Sequence, residues 1–262
     1  MAGEAGLAFF ENEGFDLAFI DLNQEHGGEA VLLIHGFAST HFVNWVAPSW
    51  TTTLTQAGYR VIALDNRGHG SSSKSTIAAD YEPERMAADA VALLDHLGIA
   101  RAHVMGYSMG ARVSAFMALA APERVASLVL GGLGIGLVEG VGDWDPIADA
   151  LLATDAATVP EGRPRMFRNF ADQTRSDKGA LAACIAGSRT LLPADDARRI
   201  TQPTLIGVGT RDDIAGDPDE LAALMPNAES FAIQKRDHML AVGDRTFKAR
   251  VLEFLGDHPL AT

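Results

Sequence analysis

Short apolar runs alternate with longer helical patterns along this chain. Residues 7–11 and 15–22 have β character and flank an Asn-Glu-Gly turn at 12–14, the pattern of an opening antiparallel hairpin. Residues 30–34 are apolar throughout, as a strand buried on both faces must be. Residues 50–58 predict a helix stopped by its glycine, and 60–65 the next strand. Pro83 suits a first helical turn; Met86, Ala90, Leu93, Leu94 and Leu97 then recur at helical spacing until Gly98. A strand at 102–106 runs straight into Ser108, a helix rich in small residues follows over 109–121 up to Pro122, and 125–130 is a further strand.

After Gly131 the pattern changes. The six residues 131–136, Gly-Gly-Leu-Gly-Ile-Gly, predict a flexible exit, and from there to about residue 200 the chain reads as helix and loop without a strand. Strands resume at 203–208 and 229–233, and 246–255 forms a closing amphipathic helix. The alternation predicts a mostly parallel sheet covered on both faces by helices, interrupted once by a segment too long for a plain loop. The expected organisation is a core built from 1–132 and 201–262, with a helical cap over 133–200. The glycine run lacks Gly-x-Gly-x-x-Gly spacing and an acidic ribose partner, so a hinge into the cap is expected and not a nucleotide loop.

Composition narrows the class. A chain of 262 residues buries one sizeable core, and 47% apolar with 21% charged residues is ordinary for a globular protein. The single cysteine, Cys184, excludes an internal disulfide framework and fits a reducing compartment. A formal charge of −13 repels phosphate backbones and anionic lipid surfaces, so neither nucleic acid nor membrane is expected as a partner. Residues 1–6 carry no basic segment leading into an apolar one, and no apolar run has bilayer-spanning length; the expectation is no signal peptide and a cytoplasmic location. The histidines have no metal-ligand spacing, so no metal or other cofactor is expected.

The chemistry centres on Gly106-Tyr107-Ser108-Met109-Gly110. A strand, then Gly-x-Ser-x-Gly, then a helix lifts the serine hydroxyl above the sheet on a strained turn; side chains at Gly106 or Gly110 would collide with the neighbouring strand or helix. Ala111, Ser114, Ala115 and Ala118 let that helix pack closely. A serine hydroxyl needs a base, and the base needs a carboxylate to orient it. Only His238 and His258 follow Ser108, and His238 comes directly after the last strand, whereas His258 lies near the C-terminus. Asp212 and Asp213 end the preceding strand; Asp212 is the chosen acid, with Asp217 a weaker candidate that suits a helix cap. The oxyanion donors are expected to be the N–H groups of Met109 and Phe37. His35 and the segment 65–71 are read as architectural turns held by side-chain hydrogen bonds. Trp45, Trp144 and Phe167 are candidates to line an acyl pocket, although large apolar residues in such positions are more often simple packing. Arg163, Arg165 and Arg168 offer a site for a substrate carboxylate, but a solvated cap face is the favoured reading.

Together, His-Gly-Phe at 35–37, Asp-x-Arg-Gly-x-Gly at 65–70, Gly-Tyr-Ser-Met-Gly at 106–110, Gly-x-x-Asp at 209–212 and His238 resemble the α/β-hydrolase fold superfamily over essentially the whole chain. The resemblance implies an eight-stranded, mostly parallel sheet with an antiparallel second strand, a Ser108–Asp212–His238 triad, and a cap after the sixth strand. A serine at the elbow argues against the aspartate-dependent dehalogenases and epoxide hydrolases. What remains resembles carboxylesterases, enol-lactonases and cofactor-free perhydrolases. The expected activity is hydrolysis of small carboxylic esters or lactones through an acyl-enzyme on Ser108. Acyl transfer or perhydrolysis on the same triad, and a non-catalytic ligand receptor, are the alternatives.

Overall fold

The computed structural model describes residues 6–260. The first five residues, on which part of the signal-peptide expectation rests, lie outside the described region. Eight strands form one sheet: β1 (Leu7–Asn12), β2 (Phe15–Leu22), β3 (Ala30–Ile34), β4 (Arg60–Leu64), β5 (Ala102–Tyr107), β6 (Val125–Gly131), β7 (Thr204–Gly209) and β8 (Ala228–Ile233). Their spatial order is β1-β2-β4-β3-β5-β6-β7-β8, and β2 pairs antiparallel with both β1 and β4 while every other pairing is parallel.

The helices are α1 (Trp50–Gln56), α2 (Pro83–His96), α3 (Met109–Ala120), α4 (Gly136–Glu139), α5 (Asp145–Leu152), α6 (Arg163–Gln173), α7 (Lys178–Gly187), α8 (Ala194–Ala197), α9 (Pro218–Leu224), α10 (His238–Ala241) and α11 (Arg245–Asp257). The period-2 alternation of the central strands divides their side chains between two cores. Leu32, Ile34, Val104, Leu128, Leu130 and Ile206 face one cluster, with Ala90 and Leu94 of α2 and Ala115 of α3. Val31, Leu33, Met105, Val129 and Leu205 face the other, with Leu54 of α1 and Val251 and Phe254 of α11. The apolar strands are apolar because both faces are covered.

Helices α4 to α8 fill the segment between β6 and β7, as the loss of strand pattern after Gly131 predicts. Leu151, Phe167, Leu181 and Ile185 of this insertion join the same cluster as α2 and α3, so it packs continuously onto the sheet's helical cover. The glycine run at its entrance departs from expectation. It is not a flexible exit: Gly134 and Gly136 N–H bond to Ala215 O, and Ile135 N–H bonds to Asp217 O. The glycines are there because neighbouring backbone and rings come too close for a side chain; a Cβ on Gly134 would stand 2.5 Å from Gly216 O.

Topology sets where a site can form. From β3 the chain moves outward to β4, then crosses to β5 on the other side of β3, so the connections leaving β3 and β5 diverge. In a parallel sheet such a divergence opens a crevice at the carboxyl ends of the strands. Register aligns those ends: Ile34 lies opposite Gly106, and Tyr107 opposite Gly131.

The crossing of α3 over the end of β3 is very close. A Cβ on Gly110 would lie 2.0 Å from Ile34 O and 2.6 Å from His35 O, both backbone atoms that cannot swing aside. Alanine is otherwise the better helix former by about 1 kcal/mol. Gly110→Ala is therefore expected to reverse that preference and lower the unfolding free energy by about 3 kcal/mol in urea titration. A stabilised variant would show that this contact is looser than described.

Candidate active site

Ser108 is the single residue between the last position of β5 and the first of α3. Its backbone has φ 54° and ψ −114°, a left-handed conformation that costs a non-glycine residue about 1–3 kcal/mol and persists only when the surroundings impose it. They do. Ser108 N–H bonds to Gly131 O at 2.7 Å, and Ser108 O accepts from Ala111 and Arg112 N–H at the start of α3. A Cβ on Gly106 would meet Gly110 O at 2.1 Å, so strand and helix can close on the turn only with glycine at both positions.

Ser108 Oγ stands 3.0 Å from His238 Nε2, and His238 Nδ1 is 2.8 Å from Asp212 Oδ2. An ionised carboxylate can only accept, so Nδ1 carries the proton and Nε2 is left with its lone pair toward the serine hydroxyl. The Asp212 carboxylate is fully buried, and its other oxygen accepts from the N–H groups of Ile214 (2.9 Å) and Ala215 (3.0 Å). These donors fix its orientation. Asp213, the alternative acid, is exposed and paired with Arg163 at 3.1 Å, and Asp217 caps α9 through the N–H groups of Asp219 and Glu220. His258 bonds to Phe254 O on α11.

The loop after β3 is held with comparable rigidity. Gly36 N–H donates to Asn44 Oδ1 at 2.7 Å, and Ser39 N–H closes a turn on Gly36 O. Among the described residues, neither Phe37 N–H nor Met109 N–H has an acceptor. His35 is fully buried beneath this loop; its Nδ1–H donates to Gly36 O and its Nε2 accepts from Asn66 N–H at 3.0 Å. Burial pushes the His35 pKa down to about 4 against the pull of the Asp65 carboxylate, so the ring is neutral and architectural. Asp65 accepts from the His41 ring and N–H and from Ser71 N–H, and Arg67 forks onto Asp89 at 2.6 and 2.7 Å. The segment 65–71 is thus a braced scaffold.

Of the three aromatic candidates, two line the site and one does not. Trp144 and Phe167 pack around Phe37, with ring centroids 5.2–5.8 Å apart. Trp45 lies in the other core, fully buried against Trp50, and lines neither cavity at Ser108. The helical turn that carries it directs Asn44 to the loop after β3 and turns the tryptophan toward α1 instead. The arginines read as a solvated face are also engaged: Arg163 bonds Asp213, Arg165 bonds carbonyls of 156 and 159, and buried Arg168 bonds Ala150 O, Ala153 O and Asp172. Arg165 and Arg168 tie the insertion together, and Arg163 ties it to the loop after β7.

Three residues of the site carried no assignment in the sequence. Asn44 is one; Tyr107 is the second, its hydroxyl donating to His238 O at 2.6 Å from within the motif itself. The third is Arg112, one helical turn beyond Ser108. Ser108 sits where two cavities meet. The larger, of about 270 Å³, runs between α3 and the insertion past Met109, Arg112, Leu133 and Ile185. The smaller, of about 230 Å³, runs past Asn44, His238, Met239 and Phe170. Phe37 and Trp144 border both.

Residues 29–165 match the alpha/beta hydrolase fold family. The chain belongs to that family. Across 92% of its length it is 31% identical to a dihydrolipoyllysine-residue acetyltransferase component of the acetoin cleaving system of Pseudomonas putida, covering 67% of that protein. A hydrolase from Pseudomonas aeruginosa PA01 superposes with TM-score 0.80 at 28% identity, over 98% of this chain and all of that one. Est816, described as an N-acyl homoserine lactone degrading enzyme, shares the fold with TM-score 0.71 at 22% identity, over 94% of this chain and 99% of its own. Among the described residues of this family member, no helix is long and apolar enough to cross a membrane, and no group of three His, Cys, Asp or Glu is placed to hold a metal ion.

The buried histidines make acid stability predictable. Free histidine titrates near 6.5, whereas burial lowers His35 to about 4 and His69 to about 3. As pH falls from 6.5 to 4 the unfolded chain binds protons at these positions that the folded chain does not, so stability is full above 6.5 and declines below it. Urea midpoints are expected to drop steadily over that range, at up to about 1.4 kcal/mol per pH unit per histidine. Constant midpoints between pH 6.5 and 4.5 would contradict neutral burial of both rings.

Proposed function

We propose that this protein is a serine hydrolase acting on small carboxylic esters or lactones. The observation that carries the reading is the unbroken relay from Ser108 Oγ through His238 to the buried Asp212, at 3.0 and 2.8 Å. Ser108 attacks the carbonyl carbon while His238 Nε2 takes the hydroxyl proton, and Asp212 stabilises the imidazolium that forms. The N–H groups of Phe37 and Met109 receive the oxyanion, each contributing about 3–4 kcal/mol to the transition state. Collapse breaks the bond to the leaving oxygen, which takes the proton from His238. Water then attacks the acyl-enzyme, delivers its proton to the same nitrogen and releases the acid, and Ser108 is restored.

The two cavities support a division of the substrate. The leaving oxygen must approach His238 to be protonated, which favours the smaller cavity, beside His238 and Met239, for the alcohol portion. The acyl portion then occupies the larger cavity beside Met109 and Leu133. The helices between β6 and β7 act as the cap that closes over both. Discharge of the acyl-enzyme by an alcohol instead of water is the reading favoured by the likeness to a protein named for acetyl transfer; product partition in added alcohol separates the two.

Ser108→Ala is expected to lower kcat on short-chain p-nitrophenyl esters by about 10⁶-fold. Undiminished turnover would remove the nucleophile assignment. Asp212→Asn is expected to cost about 10⁴-fold in kcat by disturbing the histidine tautomer, and Asp213→Asn less than threefold, roughly the reach of an exposed ion pair. The reverse ranking would transfer the acid to Asp213.

A further inference from the structure

The larger cavity has an unusual electrical character. The chain carries 34 acidic and 21 basic residues, yet the cavity is lined by two arginines, Arg112 and Arg189, and by no Asp or Glu among the described residues. Arg189 is partly exposed and paired with Asp145 at 2.6 Å. Arg112 is different. It is 6% exposed, and no carboxylate pairs with it among the described residues. Nη1 donates to Leu137 O and Thr190 O, and Nη2 to Gly136 O, at 2.8–3.1 Å. A guanidinium has five N–H donors. The Nε–H and the second Nη2–H therefore have no protein acceptor among the described residues.

Burying an unpaired charge is costly, and here the cost is visible: burial alone pulls the Arg112 pKa down to about 10. Tying three carbonyls together needs donors but no net charge. Trp144 Nε1–H, also buried and without an acceptor, belongs to a ring bordering the same cavity. Unused donors and an unbalanced positive charge in an apolar chamber call for an anion with oxygen acceptors.

We propose that the larger cavity recognises a carboxylate at the far end of the acyl chain, bound by Arg112, so that the preferred substrates are half-esters or carboxylated lactones of short dicarboxylic acids. The inference rests on the serine-hydrolase reading and names its substrate class. Arg112 lies four residues beyond Ser108, in the first turn of α3 and about 6 Å further along its axis, and both line the larger cavity; a chain of about four to six carbons covers that rise. Hydrolysis consumes one water and releases the diacid and the alcohol.

The test compares kcat/KM for mono-p-nitrophenyl glutarate and for neutral p-nitrophenyl butyrate in the wild type, Arg112→Gln and Arg112→Lys. The expected wild-type ratio favours the glutarate ester by at least 10-fold, falls by at least 30-fold in Arg112→Gln, and is partly kept in Arg112→Lys. A wild-type ratio at or below one overturns the proposal while leaving the serine hydrolase standing, as does a preference that Arg112→Gln does not alter. If Arg112→Gln does not fold, the wild-type ratio and the Lys variant decide. If neither ester is cleaved, the hydrolase reading fails, and calorimetric titration of Ser108→Ala with glutarate tests the pocket separately. Binding that is lost in Ser108→Ala/Arg112→Gln supports the carboxylate site, and no binding overturns it.

Discussion

The close approach of α3 to the ends of β3 and β5 is the constraint from which the rest of the site follows. Helix and strands touch backbone to backbone at Gly106 and Gly110, and the chain can pass from one to the other only through the left-handed conformation of Ser108. That turn points the hydroxyl out over the sheet and leaves the first N–H of α3, on Met109, without an intrahelical partner. The strain is distributed into surrounding hydrogen bonds, from Ser108 N–H to Gly131 O and from α3 back to Ser108 O. Pre-organisation of this kind fixes the Met109 N–H and the Ser108 hydroxyl before any ligand arrives.

Around the turn, several buried polar groups are held by specific partners. Neutral His35 joins the loop after β3 to Asn66, Asn44 holds Gly36, and Tyr107 holds the backbone of His238. Asp212 is held by two N–H groups and one imidazole. Arg112 stands apart, buried and charged without a carboxylate partner among the described residues, in the chamber that suits the acyl chain. The turn at Ser108 and the first four residues of α3 thus bring together the proposed nucleophile, the proposed oxyanion donor and the proposed acyl anchor.

Much of this was legible because periodicity and local motifs encode it. The central strands are legible to within a residue or two, since burial on both faces makes them continuous apolar runs. Ser108, Asp212 and His238 follow from chain order at strand ends. What was not legible depends on which way a side chain turns. Trp45 and Asn44 are adjacent, and nothing local says that the asparagine faces the site and the tryptophan the core. The glycines at 131–136 read as flexibility when their cause is close packing against distant segments. Arg163, Arg165 and Arg168 stand out in the sequence by clustering, whereas Arg112 lies alone in a helix of small residues. Its significance lies in a missing partner, which only three dimensions reveal.

The proposed chemistry requires that the geometry at Ser108 make its hydroxyl a nucleophile. Incubation with a fluorophosphonate followed by peptide mass spectrometry tests this without knowledge of the substrate. A single covalent adduct is expected, on Ser108, with strongly slowed labelling in His238→Asn. Absence of any adduct, or an adduct on another residue with Ser108 unmodified, would contradict it.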